Sequence, residues 1–220
     1  MTTPQQPGGP LRSFGRLKAR PLKARQAALF DSLLPKVAIS PEGPVAVSGE
    51  TWLEIGFGGG EHLAAQAGRY PDVAFVGAEP FVNGVASALR HLEEGGLTNV
   101  RLWQGDARDL IARLPPASLA RVFILFPDPW PKARHNKRRL VQAGFLEDLA
   151  GVMAPGAALR FTTDWADYAD QTQQLVDASP LFAPIEGRDL SEPPADHVTT
   201  RYEEKRLGDI APVWMDWRKL

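Results

Sequence analysis

The stretch "TWLEIGFGGGEHLAAQAGRYPDVAFVGAEP", Thr51–Pro80, decides the fold. Thr51–Gly56 is a short, mostly apolar run of strand length, cut off by glycines at 56, 58, 59 and 60. Glu61–Tyr70 then reads as a helix, and Val73–Pro80 as a second strand. The same alternation continues outward. Phe81–Gly96 reads as helix, Asn99–Asp106 as strand, Ala107–Leu114 as helix and Leu119–Asp128 as strand. Arg139–Met153 follows as helix and Gly156–Trp165 as strand. Short apolar strands separated by helices predict an α/β fold, a doubly wound and mostly parallel sheet covered on both faces. Upstream, Leu22–Ile39 has near-helical apolar spacing and reads as one helix ending before Pro35. Downstream, a helix near Tyr168–Ser179 precedes extended pieces around Leu181–Gly187, Val198–Gly208 and Ala211–Lys219. The domain reading is a basic, disordered N-terminal arm over residues 1–25 and a single domain over 26–220.

Composition narrows the function. The 220 residues are 44% hydrophobic and 23% charged, enough for one sizeable core. No run approaches the ~20 apolar residues that span a bilayer, and the N-terminus lacks the apolar segment of a secretory signal. With no cysteine there is no disulfide, thiolate metal site or thiol nucleophile, and a cytoplasmic location is expected. His62 and His135 have no partners at ligand spacing, so no metal is assigned. The net charge of −1 conceals a segregation. Arg12, Arg16, Lys18, Arg20, Lys23 and Arg25 precede the first acid, Asp31, and residues 129–146 contain five cations and no acid. A chain that is acidic in bulk and basic in two patches suggests a localised polyanion partner.

Glycines at a strand-to-helix turn let the backbone approach a ligand closely. A dinucleotide fingerprint would need glycine at position 61, where this chain has Glu61. That, and Glu54 inside the strand, argue against a nicotinamide dehydrogenase. Glu54 would repel a pyrophosphate but suits a cationic amino-acid moiety. Glu79 ends the next strand 25 residues later, near the spacing at which a carboxylate grips ribose hydroxyls. Asp106, after the third strand, is placed to bond an adenine amino group. The ordered set Glu54, Gly56, Gly58, Gly60, Glu79 and Asp106 resembles the S-adenosylmethionine site of Rossmann-like class I methyltransferases. The resemblance implies that the glycine loop lies beside the methionine part, Glu79 holds the ribose and Asp106 addresses the adenine.

The fourth strand ends in "FPDPWPKARHNKRR", Phe126–Arg139. Ligands of parallel sheets gather at the carboxyl ends of strands, so Asp128 should face the same crevice as the cofactor. Pro127 and Pro129 each fix φ, making a stiff corner around that acid. Amino-directed base methyltransferases carry D/N-P-P-aromatic here; Asp128-Pro129-Trp130-Pro131 departs from that order. The stretch instead looks like the signature of tRNA (guanine-N7)-methyltransferases. "RSFGRLKAR" at Arg12–Arg20, "FTTDW" at Phe161–Trp165 and "TRYEEK" at Thr200–Lys205 agree, with Tyr202 where Phe is more usual. The resemblance implies S-adenosylmethionine as cofactor, tRNA as partner and a variable-loop guanosine as target. It implies a catalytic and cofactor-side role for Asp128. It also implies substrate contacts from Lys132, Asp164, Thr200, Arg201, Tyr202 and Glu203. Arg134, Lys137, Arg138 and Arg139 should track the RNA backbone. Trp130 either stacks on a base or packs under the loop.

The chemistry agrees with the residues. Guanine N7 has a lone pair and no proton, so neither a strong base, a metal nor a covalent nucleophile is needed. Methylation leaves positive charge on the purine, which a fixed carboxylate stabilises as it develops. An exocyclic-amine nucleic-acid methyltransferase and a non-catalytic RNA-binding protein are the alternatives. The latter would have no use for Glu54, Glu79 and Asp106. Nothing in the sequence sets the oligomeric state.

Overall fold

Alternation along the central strands decides which side of the sheet each residue joins. Trp52, Phe75 and Phe123 enter one apolar cluster, while Leu53, Val76, Val122 and Ile124 enter another. Strands buried this way on both faces have to be covered by helices on both faces. The structure, a computed structural model, describes residues 21–187 and 189–220. In chain order the elements begin with helices α1 (Ala24–Ser32) and α2 (Leu34–Val37). Next come β1 (Thr51–Ile55), α3 (Glu61–Arg69), β2 (Ala74–Ala78), α4 (Val82–Gly95), β3 (Val100–Trp103) and α5 (Ala107–Ile111). The second half holds β4 (Leu119–Leu125), a 3-10 turn (Ala133–Arg138), α6 (Ala143–Val152) and β5 (Met153–Thr163). It closes with α7 (Ala166–Asp177), β6 (Phe182–Pro184), α8 (Arg201–Glu204) and β7 (Val213–Lys219).

The described residues form a seven-stranded sheet in the order β3-β2-β1-β4-β5-β7-β6. β1 pairs in parallel with both β2 and β4, and the parallel run extends to β3 and β5. β7 enters antiparallel between β5 and β6. The doubly wound, mostly parallel sheet read from the sequence is therefore present. Chain order reverses between β1 and β4, the switch point at which such sheets open a crevice. One face carries the cluster containing Leu29, Leu63 and Leu89, from α1, α3 and α4; the other carries Leu110, Leu149 and Tyr168, from α5, α6 and α7. Each large apolar side chain so buried contributes roughly 1.5–3 kcal/mol of transfer free energy.

Three expectations are corrected. Leu22–Ile39 holds two helices and not one: α1 ends at Ser32, before Pro35 as expected, and α2 then carries that proline in its first turn, where a missing N–H costs nothing. Val198–Gly208 is not extended, because Thr200 caps α8 by accepting the Glu203 N–H. The basic stretch does not open α6; it forms its own 3-10 turn. The stretch Arg12–Arg20 lies outside the described residues.

Candidate active site

The turn after β1 is rich in glycine because three of its positions take a left-handed backbone. Gly56, Gly58 and Gly60 have φ of 74°, 54° and 81°, in the left-handed region where a Cβ is strained. Gly60 caps α3, and a Cβ there would meet Ala88 Cβ of α4 at 2.6 Å. Gly84 does the same service from the other side: its Cβ would stand 2.4 Å from the Gly58 carbonyl oxygen. α3 and α4 therefore close tightly around the loop. Gly56 and Gly58 have open space where a side chain would stand.

These elements open a cleft of about 1150 Å³ at the carboxyl edge of β1–β4. Glu54, Gly56, Gly58, Glu79, Asp106 and Asp128 line it together, while Gly60 stands outside the lining, capping α3 against Ala88. Glu79 is buried and accepts the backbone N–H groups of Gly58 (2.8 Å) and Phe81 (2.9 Å). Desolvation, opposed by those two hydrogen bonds and reinforced by the charges of Asp128 and Glu54, pushes its carboxyl up to about 7. Glu54 is buried on β1, with Oε2 2.7 Å from His62 Nδ1. Asp106 caps α5 and also receives both the Nε and Nη2 hydrogens of Arg108. Desolvation opposes ionisation of Asp106, but the hydrogen bonds and charge of Arg108 outweigh it and hold the carboxyl below the ordinary range.

Asp128 reaches solvent inside the cleft, and desolvation by its surroundings raises its carboxyl above the usual value. Its corner is strained at both ends: Phe126 has φ 49° and Trp130 has φ 45°, bracketing Pro127 and Pro129. Non-glycine residues in that region cost on the order of 1–2 kcal/mol each and cluster at functional sites. Trp130 is half-buried, edge-on to His135 and stacked under the Arg138 guanidinium, whose Cζ is 5.0 Å from the ring centroid. Phe126 lies against Tyr202, ring centroids 5.5 Å apart, which brings α8 to the corner.

The remaining expected residues divide. Thr200, Arg201, Tyr202 and Arg138 line the cleft. Lys132, Arg134 and Lys137 are exposed on and beside the 3-10 turn, outside its lining. Glu203 turns away to meet His197 Nε2 at 3.1 Å. Asp164 is buried behind α8, accepting the Gly208 N–H through Oδ2 at 2.9 Å, and its charge helps raise the Tyr202 hydroxyl after desolvation. Arg139 is a correction. It is 2% exposed, and its guanidinium donates to the Pro129 carbonyl, Gln171 Oε1 and Asp167 Oδ2 at 2.6–2.7 Å. A side chain so fully engaged braces the corner against α7 and is not part of an RNA track.

Other contacts had weak sequence signals. Arg201 Nε lies 2.7 Å from Glu61 Oε1, joining α8 to the start of α3 across the cleft. No sequence spacing links residues 140 apart. His62 on Glu54 could have been suspected, since a buried acid at a strand end needs a partner and the helix that follows begins one residue before it.

Comparison with known proteins follows the same lines. A methyltransferase family model matches residues 48–214. The chain is 63% identical to the tRNA (guanine-N(7)-)-methyltransferase of Caulobacter vibrioides strain NA1000 / CB15N, over the whole of both chains. It is 61% identical to that of Caulobacter sp. strain K31, again over the whole of both. Among solved structures, an rRNA methylase from Streptococcus thermophilus superposes with a TM-score of 0.53 at 11% identity, covering 78% of this chain and 87% of that one. That likeness concerns the fold.

Proposed function

The chain belongs to the tRNA (guanine-N7)-methyltransferases, and from that premise we propose how its cleft carries a methyl group to N7 of a guanine in tRNA. The donor that fits is S-adenosylmethionine. Its ammonium, ribose hydroxyls and adenine amino group are all positive or hydrogen-bond-donating, and Glu54, Glu79 and Asp106 offer acceptors in that order along the strand ends. Gly56 and Gly58 leave room for it. When bound, the group supplies an electrophilic methyl on a sulfonium.

Glu79, fixed by two backbone N–H groups, serves the ribose, and Asp106, held by Arg108, serves the adenine side. Asp128 accepts N–H groups of the guanine and holds the ring with N7 toward the methyl carbon. The N7 lone pair forms the new C–N bond while the C–S bond breaks, so positive charge moves from sulfur to the purine. Asp128 is the carboxylate that meets that charge, and its rigid corner means little reorganisation is needed. Thr200, Arg201 and Tyr202 form the opposite wall for the substrate. Asp164 supports that wall from behind, and Glu203 supports it through His197. Lys132, Arg134, Lys137 and Arg138 leave the cleft as a basic path for phosphates.

The observation that carries this reading is the convergence of Asp128 with the glycine loop and Glu79 in one cleft. Incubation with methyl-labelled S-adenosylmethionine and unmodified tRNA, followed by nucleoside digestion, should yield labelled 7-methylguanosine. Label on an exocyclic amine would refute the assignment of N7. Asp128→Ala should cut single-turnover rates by about 100-fold or more while S-adenosylhomocysteine binding holds.

A further inference from the structure

Glu54 has a partner that the transfer itself does not require. His62 is buried, and its Nδ1 lies 2.7 Å from Glu54 Oε2. On the other side of the ring, Gln66 Nε2 lies 3.1 Å from His62 Nε2 and donates to the Asp196 carbonyl oxygen at 2.7 Å. These contacts determine where the protons are. A backbone carbonyl can only accept, so the amide nitrogen of Gln66, not its oxygen, faces Asp196. The second hydrogen of that nitrogen points at His62 Nε2, which is therefore a bare acceptor. The ring is neutral, its proton sits on Nδ1, and Glu54 receives it.

The relay is anchored. The Asp196 carboxylate is held by Arg160 at 2.6 Å and Arg121 at 2.8 Å, and Arg160 is fastened to Asp216 of β7 at 2.7 Å. Phe123 packs edge-on against the imidazole, ring centroids 4.8 Å apart, and limits its rotation. One oxygen of a cleft-lining carboxylate is thus permanently occupied by a fixed donor.

We infer that His62 is a positioning residue for Glu54. It holds Oε2 so that the other oxygen is presented to the α-ammonium of the methyl donor's amino-acid portion. A preset acceptor needs no reorganisation when the cation arrives, whereas a free carboxylate would sample several rotamers. The inference rests on the S-adenosylmethionine reading above.

Calorimetry with two ligands tests it: S-adenosylhomocysteine, which has the amino-acid portion, and 5′-methylthioadenosine, which lacks it. His62→Leu removes the N–H; His62→Asn returns an amide N–H near the place of Nδ1. His62→Leu should weaken S-adenosylhomocysteine roughly tenfold, as for loss of a hydrogen bond to a charged group, and leave 5′-methylthioadenosine unchanged. His62→Asn should recover most of the loss. Equal losses for both ligands, or none for either, would overturn the inference alone. A parent chain that binds neither ligand would overturn the cofactor reading and this inference with it. Nitrogen NMR of the parent's imidazole needs no variant: a neutral ring protonated on Nδ1 supports the assignment, and an imidazolium or an Nε2–H ring overturns it.

Discussion

Glu79 is a buried carboxyl in the wall of the cleft. Its two oxygens are held by backbone N–H groups, yet burial dominates and its carboxyl is pushed from 4.5 up to about 7. Between those values the folded chain holds a proton that the unfolded chain has released, so stability falls as pH rises through the window. The protonated form's advantage is fully present below 4.5 and lost above 7. At about 1.4 kcal/mol per pH unit, the contribution is on the order of 3 kcal/mol. Glu79→Gln removes the titration, so the parent's stability relative to the variant should decline between pH 4.5 and 7.5. Urea unfolding at both pH values measures it, and a constant difference would return Glu79 to an ordinary carboxyl. Its proximity to the glycine loop was legible from the sequence through strand-end spacing. Its protonation was not, because burial depends on how α4 closes over it at Gly84.

At the scale of elements, the Phe126–Arg139 segment shows why a charge run is an incomplete guide. Sequence placed an acid and five cations at the end of the fourth strand, and the structure agrees. Sequence could not say which cation turns inward. The partners of Arg139, Asp167 and Gln171, belong to α7, brought near only because β5 pairs with β4. α8 was misread for a related reason: a single turn of four residues has too little periodicity to compete with its β-branched and aromatic neighbours. The two adjacent arginines should therefore separate experimentally. Arg139→Ala should lower stability by about 2–3 kcal/mol, tempered because Asp167 is half exposed. It should also lower turnover, since the Asp128 corner loses its brace at Pro129. Arg138→Ala should leave stability nearly unchanged but flatten the dependence of log tRNA affinity on log salt by roughly 0.7–0.9, one phosphate contact. Filter-binding titrations across a salt series, with thermal melts, distinguish them; a folded Arg139→Ala that flattens the slope would restore it to the RNA track.

For the whole molecule, the cleft is a meeting place of distant segments. Its lining runs from Gln26 of α1, through the ends of β1–β4, to Tyr202 of α8. Arg25 ties the start of α1 to Glu93 of α4 at 2.9 Å, and Arg201 ties α8 to Glu61 of α3 at 2.7 Å. Both apolar clusters run through β1 and β4, the strands that flank the switch point. The strand ends and the α3 and α4 walls carry core residues, whereas α8 has none and is tied to them by Arg201 on Glu61 and by Tyr202 against Phe126. A ligand held by the strand ends should therefore stabilise the domain as one unit. Binding to the folded state alone adds RT ln(1 + [L]/Kd), about 2.7 kcal/mol at a hundredfold excess over Kd. For a chain of this size that corresponds to a rise in Tm of roughly 5–10 °C. S-adenosylhomocysteine should produce that rise in a single sharpened transition. Asp128→Ala should show the same shift, because its role is toward the purine, while Glu79→Ala should need about tenfold more ligand to reach it. Amide exchange gives the spatial half of the result: protection should increase together in the Gly56–Gly60 turn and around Thr200–Glu204. Protection confined to the glycine turn, with two separate thermal transitions, would mean that α8 stands apart from the cofactor half of the cleft.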